Sequence, residues 1–192
     1  MKLIELVQKS RSYRRFDQSY VIDGETLRDL IQLAQYSPTG NNLQPLRFWL
    51  SNTPKMNAQI FPHLGWAGAL KDWDGPKVGE RPSAYIIILG DTSIKKNFGV
   101  DPGIAAQSIM LGAAEKDLGG CMIGSARKER LQQALDIPKQ YEILLVLALG
   151  KPAEKVLTEP VGGDGGITYY RDEKDVHHVP KRPLSELIVH DV

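Results

Sequence analysis

Cysteine is almost absent: Cys121 is the only one in 192 residues. One thiol cannot form an internal disulfide, so a disulfide-stapled secreted module is excluded, as are CxxC redox and zinc-ribbon patterns. Long hydrophobic runs are also missing. The longest, ILLVLAL at 143–149, has seven residues, against the roughly 20 that a membrane-spanning helix needs. The N-terminal stretch MKLIELVQKSR carries Glu5 inside its apolar part and has no small-residue cleavage site. No signal peptide is therefore expected, and the expected location is cytoplasmic. Charge of one sign is not in excess. The 24 Lys+Arg and 23 Asp+Glu leave a net +1, which argues against nucleic-acid binding through overall positive charge.

Nucleotide and metal motifs are missing as well. There is no GxxxxGK[ST], and the glycines at 162–166 (GGDGG) lack the spacing of a dinucleotide fingerprint. His177 and His178 are adjacent, so on an extended segment they point to opposite faces; His63 and His190 stand apart. No metal site is expected. Cys121 lies in an apolar segment with no histidine near it in sequence, which reads as a buried structural thiol.

What is present is a folded domain with 42% hydrophobic residues. Leu3, Ile4 and Val7 give a short first helix one apolar face. Leu27, Leu30, Ile31 and Ala34 recur at helical spacing behind a capping Asp23. That helix must stop near Ser37, because Pro38 disfavours helix before it. Residues 46–50 and the buried run AYIIIL at 84–89 read as strands. Thr53-Pro54 opens a helix, and residues 65–82 form a long loop containing Trp66 and Trp73. Asp101-Pro102 looks like a cap plus proline before a helix of small residues at 104–114, which Gly119 and Gly120 are expected to end. Residues 120–123, 128–135 and 143–149 read as strand, helix and strand. After Gly150, residues 151–182 hold three prolines, four close glycines and many charges, too little for a core of their own.

Three segments could carry chemistry. Lys9, Arg11, Arg14 and Arg15 put four cations in seven residues, beside Ser12. Such a group suits a phosphate, and equally suits a solvated helix end. Pro38-Thr39-Gly40-Asn41-Asn42-Leu43-Gln44-Pro45 concentrates hydroxyl and amide groups that a planar polar ring would use, as would a plain turn. Lys181-Arg182 is a second basic point at the other end of the chain.

Taken in order, these segments resemble the FMN-dependent nitroreductase family. Arg11-Ser12-x-Arg14-x-Phe16 resembles its N-terminal motif. The loop at 38–45 resembles its Pro-Ser-x-x-Asn-x-Gln-Pro element, with Thr39 in place of serine. Asp101-x-Gly103-x-Ala105-x-Gln107, the turn Leu118-Gly119-Gly120-Cys121-x-Ile123-Gly124, Leu149-Gly150-Lys151-Pro152 and Lys181-Arg182-Pro183-Leu184 resemble later elements.

The resemblance implies an α+β, three-layer fold with a mostly antiparallel central sheet flanked by helices. Residues 1–150 would be the FMN-binding core, and residues 151–192 an extension of the same domain wrapping the partner of a homodimer. It implies FMN held by Arg11, Ser12, Arg14, Lys181 and Arg182 at its phosphate. Pro38, Thr39, Gly40, Asn42 and Gln44 would reach the ring from the partner, and Gly119 and Gly120 would lie beside it. The implied activity is ping-pong reduction of nitroaromatics, quinones or similar oxidised acceptors by NAD(P)H. The flavin carries that chemistry, so no side chain is assigned as catalytic acid or base. Trp66 and Trp73 fall where acceptors would enter. The small residues of the 104–114 helix would allow close helix approach in the dimer. A flavin store or sensor, and the dimethylbenzimidazole-forming and dehalogenating members of the fold, are the alternatives.

Overall fold

The computed structural model describes residues 1–163 and 165–191; Asp164, inside the 162–166 glycine stretch, and Val192 lie outside the described residues. Helix α1 (Leu3–Lys9), strand β1 (Phe16–Asp17), α2 (Gly24–Gln35), β2 (Leu46–Ser51) and α3 (Pro54–Ile60) come first. After the loop follow β3 (Ala84–Asp91), α4 (Asp101–Glu115), β4 (Gly119–Ile123), α5 (Lys128–Ala134) and β5 (Tyr141–Pro152). The C-terminal part holds β6 (Val156–Pro160), β7 (Tyr170–Arg171), β8 (His177–Lys181) and α6 (Leu184–Leu187).

The two apolar runs become the middle of one antiparallel sheet. β3 is buried along its whole length and pairs with β2 on one side and β5 on the other. β5 extends beyond its apolar run because β4 and then β1 pair in succession along its other edge. Strand alternation sorts the side chains into two layers. Ile86, Ile88, Leu147 and Leu149 pack with Leu27, Leu30, Ala105 and Ile109 of α2 and α4. Tyr85, Ile87, Val146 and Ala148 pack on the opposite face with Ile60 of α3 and Leu131 of α5. Each of the large buried aliphatics contributes roughly 1.5–3 kcal/mol. This is the expected three-layer α+β fold.

The helix starts follow local chemistry. The Asp23 carboxylate accepts from the Thr26 amide, and the Thr53 hydroxyl accepts from the Met56 amide at 3.3 Å. Two expectations fail. Asp101 does not cap α4; Val100 precedes the helix, and the buried Asp101 turns its carboxylate to another segment. Gly119 and Gly120 do not end that helix either. It stops at Glu115, where Asp117 takes a left-handed φ of 57° and the Leu118 amide returns to the Ala113 carbonyl at 2.8 Å.

The small residues of α4 serve two surfaces. A Cβ at Gly112 would overlap Leu33 and crowd Leu30, so this glycine is what lets α2 lie close within the chain. Val100, Gly103, Ile104, Gln107 and Leu111 form a second stripe, exposed or half-buried. Leu3 and Ile4 of α1 are likewise exposed, so the apolar side of α1 is not buried in a single copy.

The segment after Gly150 does not simply leave the core. β8 pairs parallel with β6 and antiparallel with β7. This small sheet lies on the chain's own N-terminal segment: His177 of β8 is 3.1 Å from Arg14, and just before β6 the Ala153 amide donates to the Arg15 carbonyl at 3.0 Å. Residues 182–191, after β8, are exposed. Among the described residues, no helix is long and apolar enough to cross a membrane.

Candidate functional site

The N-terminal arginine segment is hung on the edge of β4. Ser12 forms a parallel bridge with Gly120, and the Tyr13 amide donates to the Gly120 carbonyl at 2.9 Å. A Cβ on Gly119 would overlap Tyr13 and crowd Pro152, and one on Gly120 would come within 2.6 Å of the Ala148 carbonyl oxygen. Both glycines are therefore required by the approach of the chain to itself.

Glu154 organises the same segment from the other side. Its Oε1 accepts from the backbone amides of Arg14 and Arg15, and its Oε2 from Arg171 Nη2 at 2.7 Å. Its side chain is 2% exposed. Arg15 pairs with Asp175 at 3.0 Å and with Glu80 at 3.6 Å. Arg171 lies over the Trp73 ring, 4.5 Å from its centroid.

Arg11 and Arg14 differ from these neighbours. Neither has a carboxylate partner among the described residues. Arg11 donates to the Val7 carbonyl at 2.6 Å, and its Nε is buried with no partner. Arg14 donates to the Ser12 carbonyl at 3.2 Å, contacts His177 Nε2 at 3.1 Å and lies 4.8 Å over the Tyr169 ring. Burial, then the charge of Arg14, pushes the His177 pKa down to about 4. His177 is thus neutral at pH 7 and accepts from Arg14 without cancelling its charge. Ser12 is exposed. Two uncompensated guanidiniums and an exposed hydroxyl suit an anion with several acceptor oxygens.

The adjacent His178 behaves oppositely. It sits between Glu159, 2.8 Å from Nδ1, and Asp172, 3.2 Å from Nε2, with Tyr170 stacked on its ring. Hydrogen bonds donated to these carboxylates raise its pKa. The two histidines do face apart, and no group of three or more potential metal ligands occurs among the described residues.

The loop holding Pro38, Thr39, Gly40, Asn42 and Gln44 lies at the other end of α4. The Gly40 amide donates to Asp101 Oδ1 at 3.0 Å, and Lys95 pairs with Oδ2 at 3.3 Å. The Thr39 hydroxyl accepts from the Gln44 amide at 3.1 Å. Asn41, Asn42 and Gln44 all have positive φ, near 50°. Asn tolerates this conformation; Gln44 is held there at a cost of roughly 1–2 kcal/mol. Pro38, Gly40, Asn42 and Gln44 are exposed. Fifteen residues of α4 separate this loop from Gly119 and Gly120, a span of about 22 Å.

Lys181 and Arg182 are not brought to the Arg11–Arg14 segment within one chain. Lys181 ends β8 beside Pro160, and Arg182 pairs with Glu186 at 2.8 Å. Trp66 packs against Phe61, with its Nε1 buried and unpartnered. Cys121 is buried, which raises its thiol pKa.

Sequence reasoning missed Glu154, Tyr169 and His177 at this site. Glu154 had one usable signal. It stands two residues after the Gly150-Lys151-Pro152 motif, an acid between Lys151 and Lys155.

Comparison with known proteins gives the family and the fold. The sequence profile of the Nitroreductase family matches residues 7–151, and the chain belongs to that family. It is 22% identical to YodC of Bacillus subtilis (strain 168), named provisionally as an NAD(P)H nitroreductase, over 77% of this chain and 88% of that protein. Solved structures share the fold over nearly the full length. A nitroreductase family protein from Streptococcus pneumoniae TIGR4 superposes with a TM-score of 0.72 at 17% identity, covering 99% of this chain and 100% of that one. A protein from Desulfovibrio desulfuricans, provisionally a nitroreductase and solved in complex with FMN, gives 0.72 at 19% identity over 100% and 98%.

Proposed function

We propose that the protein is an FMN-dependent oxidoreductase that uses NAD(P)H to reduce nitroaromatics, quinones or similar oxidised acceptors, and that it works as a homodimer. The observation that carries this reading is the pair Arg11 and Arg14. They are the two arginines of their cluster left without a carboxylate, and they flank the exposed Ser12. FMN, when bound, supplies the redox chemistry, taking reducing equivalents from the nicotinamide and handing them to the acceptor.

The chain's own work is binding and placement. Arg11, Ser12 and Arg14 hold the phosphate, and in the dimer Lys181, the last residue of β8, and Arg182 after it reach it from the other copy. Gly119 and Gly120 act by letting the arginine segment lie on β4. Glu154 fixes the backbone of that segment through the amides of Arg14 and Arg15. No side chain is assigned as acid or base.

The separation of the two half-sites supports the dimer. Loop 38–44 and the Arg11–Arg14 segment sit at opposite ends of α4, about 22 Å apart. Two copies packed along the outward stripe of α4, with the helices antiparallel, would bring the exposed loop of each to the arginine segment of the other. Pro38, Thr39, Gly40, Asn42 and Gln44 then complete the partner's site, and the exposed residues after Lys181 are available to lie across it. Two observations support this: the loop is held in an unusual backbone conformation, and α1 leaves Leu3 and Ile4 uncovered.

The test is whether the protein purifies yellow, and whether its flavin bleaches anaerobically with NADPH or NADH and recovers its colour with a nitroaromatic or quinone. A colourless protein that takes up no FMN overturns the reading. A yellow protein that neither nucleotide bleaches is a flavin store or sensor.

A further inference from the structure

A cavity of about 110 Å³ lies between the turn after β1, helix α3 and the start of β3. None of its lining residues belongs to the site described above. Three polar atoms there are buried without a hydrogen-bond partner: Arg81 Nε, Ser83 Oγ and Tyr85 Oη. All three residues line the cavity. Arg81 and Ser83 lie in the bend that leads into β3, and Tyr85 is its second residue. Ser83 is 8% exposed and Tyr85 fully buried.

All three atoms are hydrogen-bond donors. Burial raises the Tyr85 pKa, so its phenol stays protonated at neutral pH. Arg81 has no ion pair among the described residues; its guanidinium lies 4.1 Å over the Phe61 ring. No acidic side chain lines the cavity. The amides that do line it are occupied. Asn57 donates to the Ser83 carbonyl and accepts from Ser51, both at 2.7 Å, and Asn52 donates to the Ile22 carbonyl at 3.0 Å. Gln18 also lines it, its Oε1 accepting from the Gly79 amide at 2.7 Å; the rest of the wall is apolar or aromatic, with Tyr20, Pro54 and Phe61.

A partly open space with one cation, no acid and three unmatched donors calls for a ligand with paired acceptor oxygens. Its ring-bearing wall calls for a flat apolar body. We propose that this cavity binds a small aromatic monocarboxylate, with the carboxylate on Arg81, Ser83 and Tyr85 and the ring against Phe61 and Pro54. The proposal does not depend on the flavin reading.

The test uses fluorine NMR of fluorobenzoate titrated into the purified protein, together with Arg81→Gln and Tyr85→Phe. Tyr85→Phe removes one oxygen and keeps the packing, so it separates ligand binding from folding. Saturable binding is expected in the parent protein, weakened about tenfold or more in each variant, with unchanged flavin content. Absence of saturable binding overturns the proposal, since the cavity then holds water only. Equal affinity in both variants, or displacement of fluorobenzoate by added FMN, overturns it too, because the ligand then sits elsewhere.

Discussion

Arg14 Nη1 stands 3.1 Å from Nε2 of His177, a residue 163 positions later in the chain and fully buried. The contact joins the N-terminal arginine segment to the C-terminal sheet through a neutral acceptor. A carboxylate in the same place would have cancelled the charge of Arg14. The imidazole orients the guanidinium and leaves its charge for a ligand.

The first prediction separates binding arginines from structural ones. Arg11→Ala combined with Arg14→Ala abolishes FMN retention on desalting, while the thermal midpoint changes little. Arg15→Ala retains flavin and lowers the midpoint, because Arg15 ties its segment to Asp175 and Glu80. Full flavin occupancy in the double variant would place the phosphate elsewhere.

Glu154→Gln tests the anchor of that segment. It leaves the guanidinium of Arg171, 10% exposed, without its partner. Breaking one side of a buried pair costs about 3–5 kcal/mol. Urea denaturation should show a loss in that range. A loss below about 1 kcal/mol, the scale of a surface pair, contradicts the role given to Glu154.

Asp101→Ala removes the acceptor that holds Gly40 and Lys95. A lost buried hydrogen-bond partner costs about 1–3 kcal/mol. Hydrogen exchange at the Gly40 amide should speed up markedly, with turnover reduced and phosphate-end binding of FMN intact. An unchanged Gly40 exchange rate would show that the loop holds its own shape.

The paired histidines give opposite pH signatures. His178 has a raised pKa, from Glu159 and Asp172. Its stabilisation is full below the unfolded value near 6.5 and is lost as pH rises through the folded value. His178→Gln should therefore lower the thermal midpoint more at about pH 5.5 than at about pH 8.5. His177 titrates near 4 when folded and 6.5 when unfolded. The parent protein loses stability as pH falls across that window, and His177→Gln should lose less of it. Parallel curves for parent and variant would refute either assignment.

The sheet and its helices were legible because local signals and global packing agree. The run at 84–89 has room only in a sheet covered on both faces, and Asp23 and Thr53 do what their caps suggest. Asp101 was misread because a buried carboxylate satisfies whichever donors the tertiary fold brings to it, here Gly40 and Lys95. Gly119 and Gly120 look like a helix stop in sequence. Only the structure shows Tyr13 and the Ala148 carbonyl occupying the space their side chains would need. The arginine segment stood out by charge. That Arg15 is spent on Asp175 and Glu80, while Arg11 and Arg14 are not, depends on contacts with residues 80, 154, 175 and 177, which no spacing rule reaches.

The central claim is that Arg11, Ser12 and Arg14 hold a flavin that a nicotinamide can reduce. Anaerobic addition of NADPH or NADH to the purified yellow protein tests it most directly, followed spectroscopically and completed with a nitroaromatic or quinone. The expected result is loss of the flavin absorbance on a catalytic timescale with at least one nucleotide, and its return on adding the acceptor. A flavin band that neither nucleotide diminishes would contradict the account.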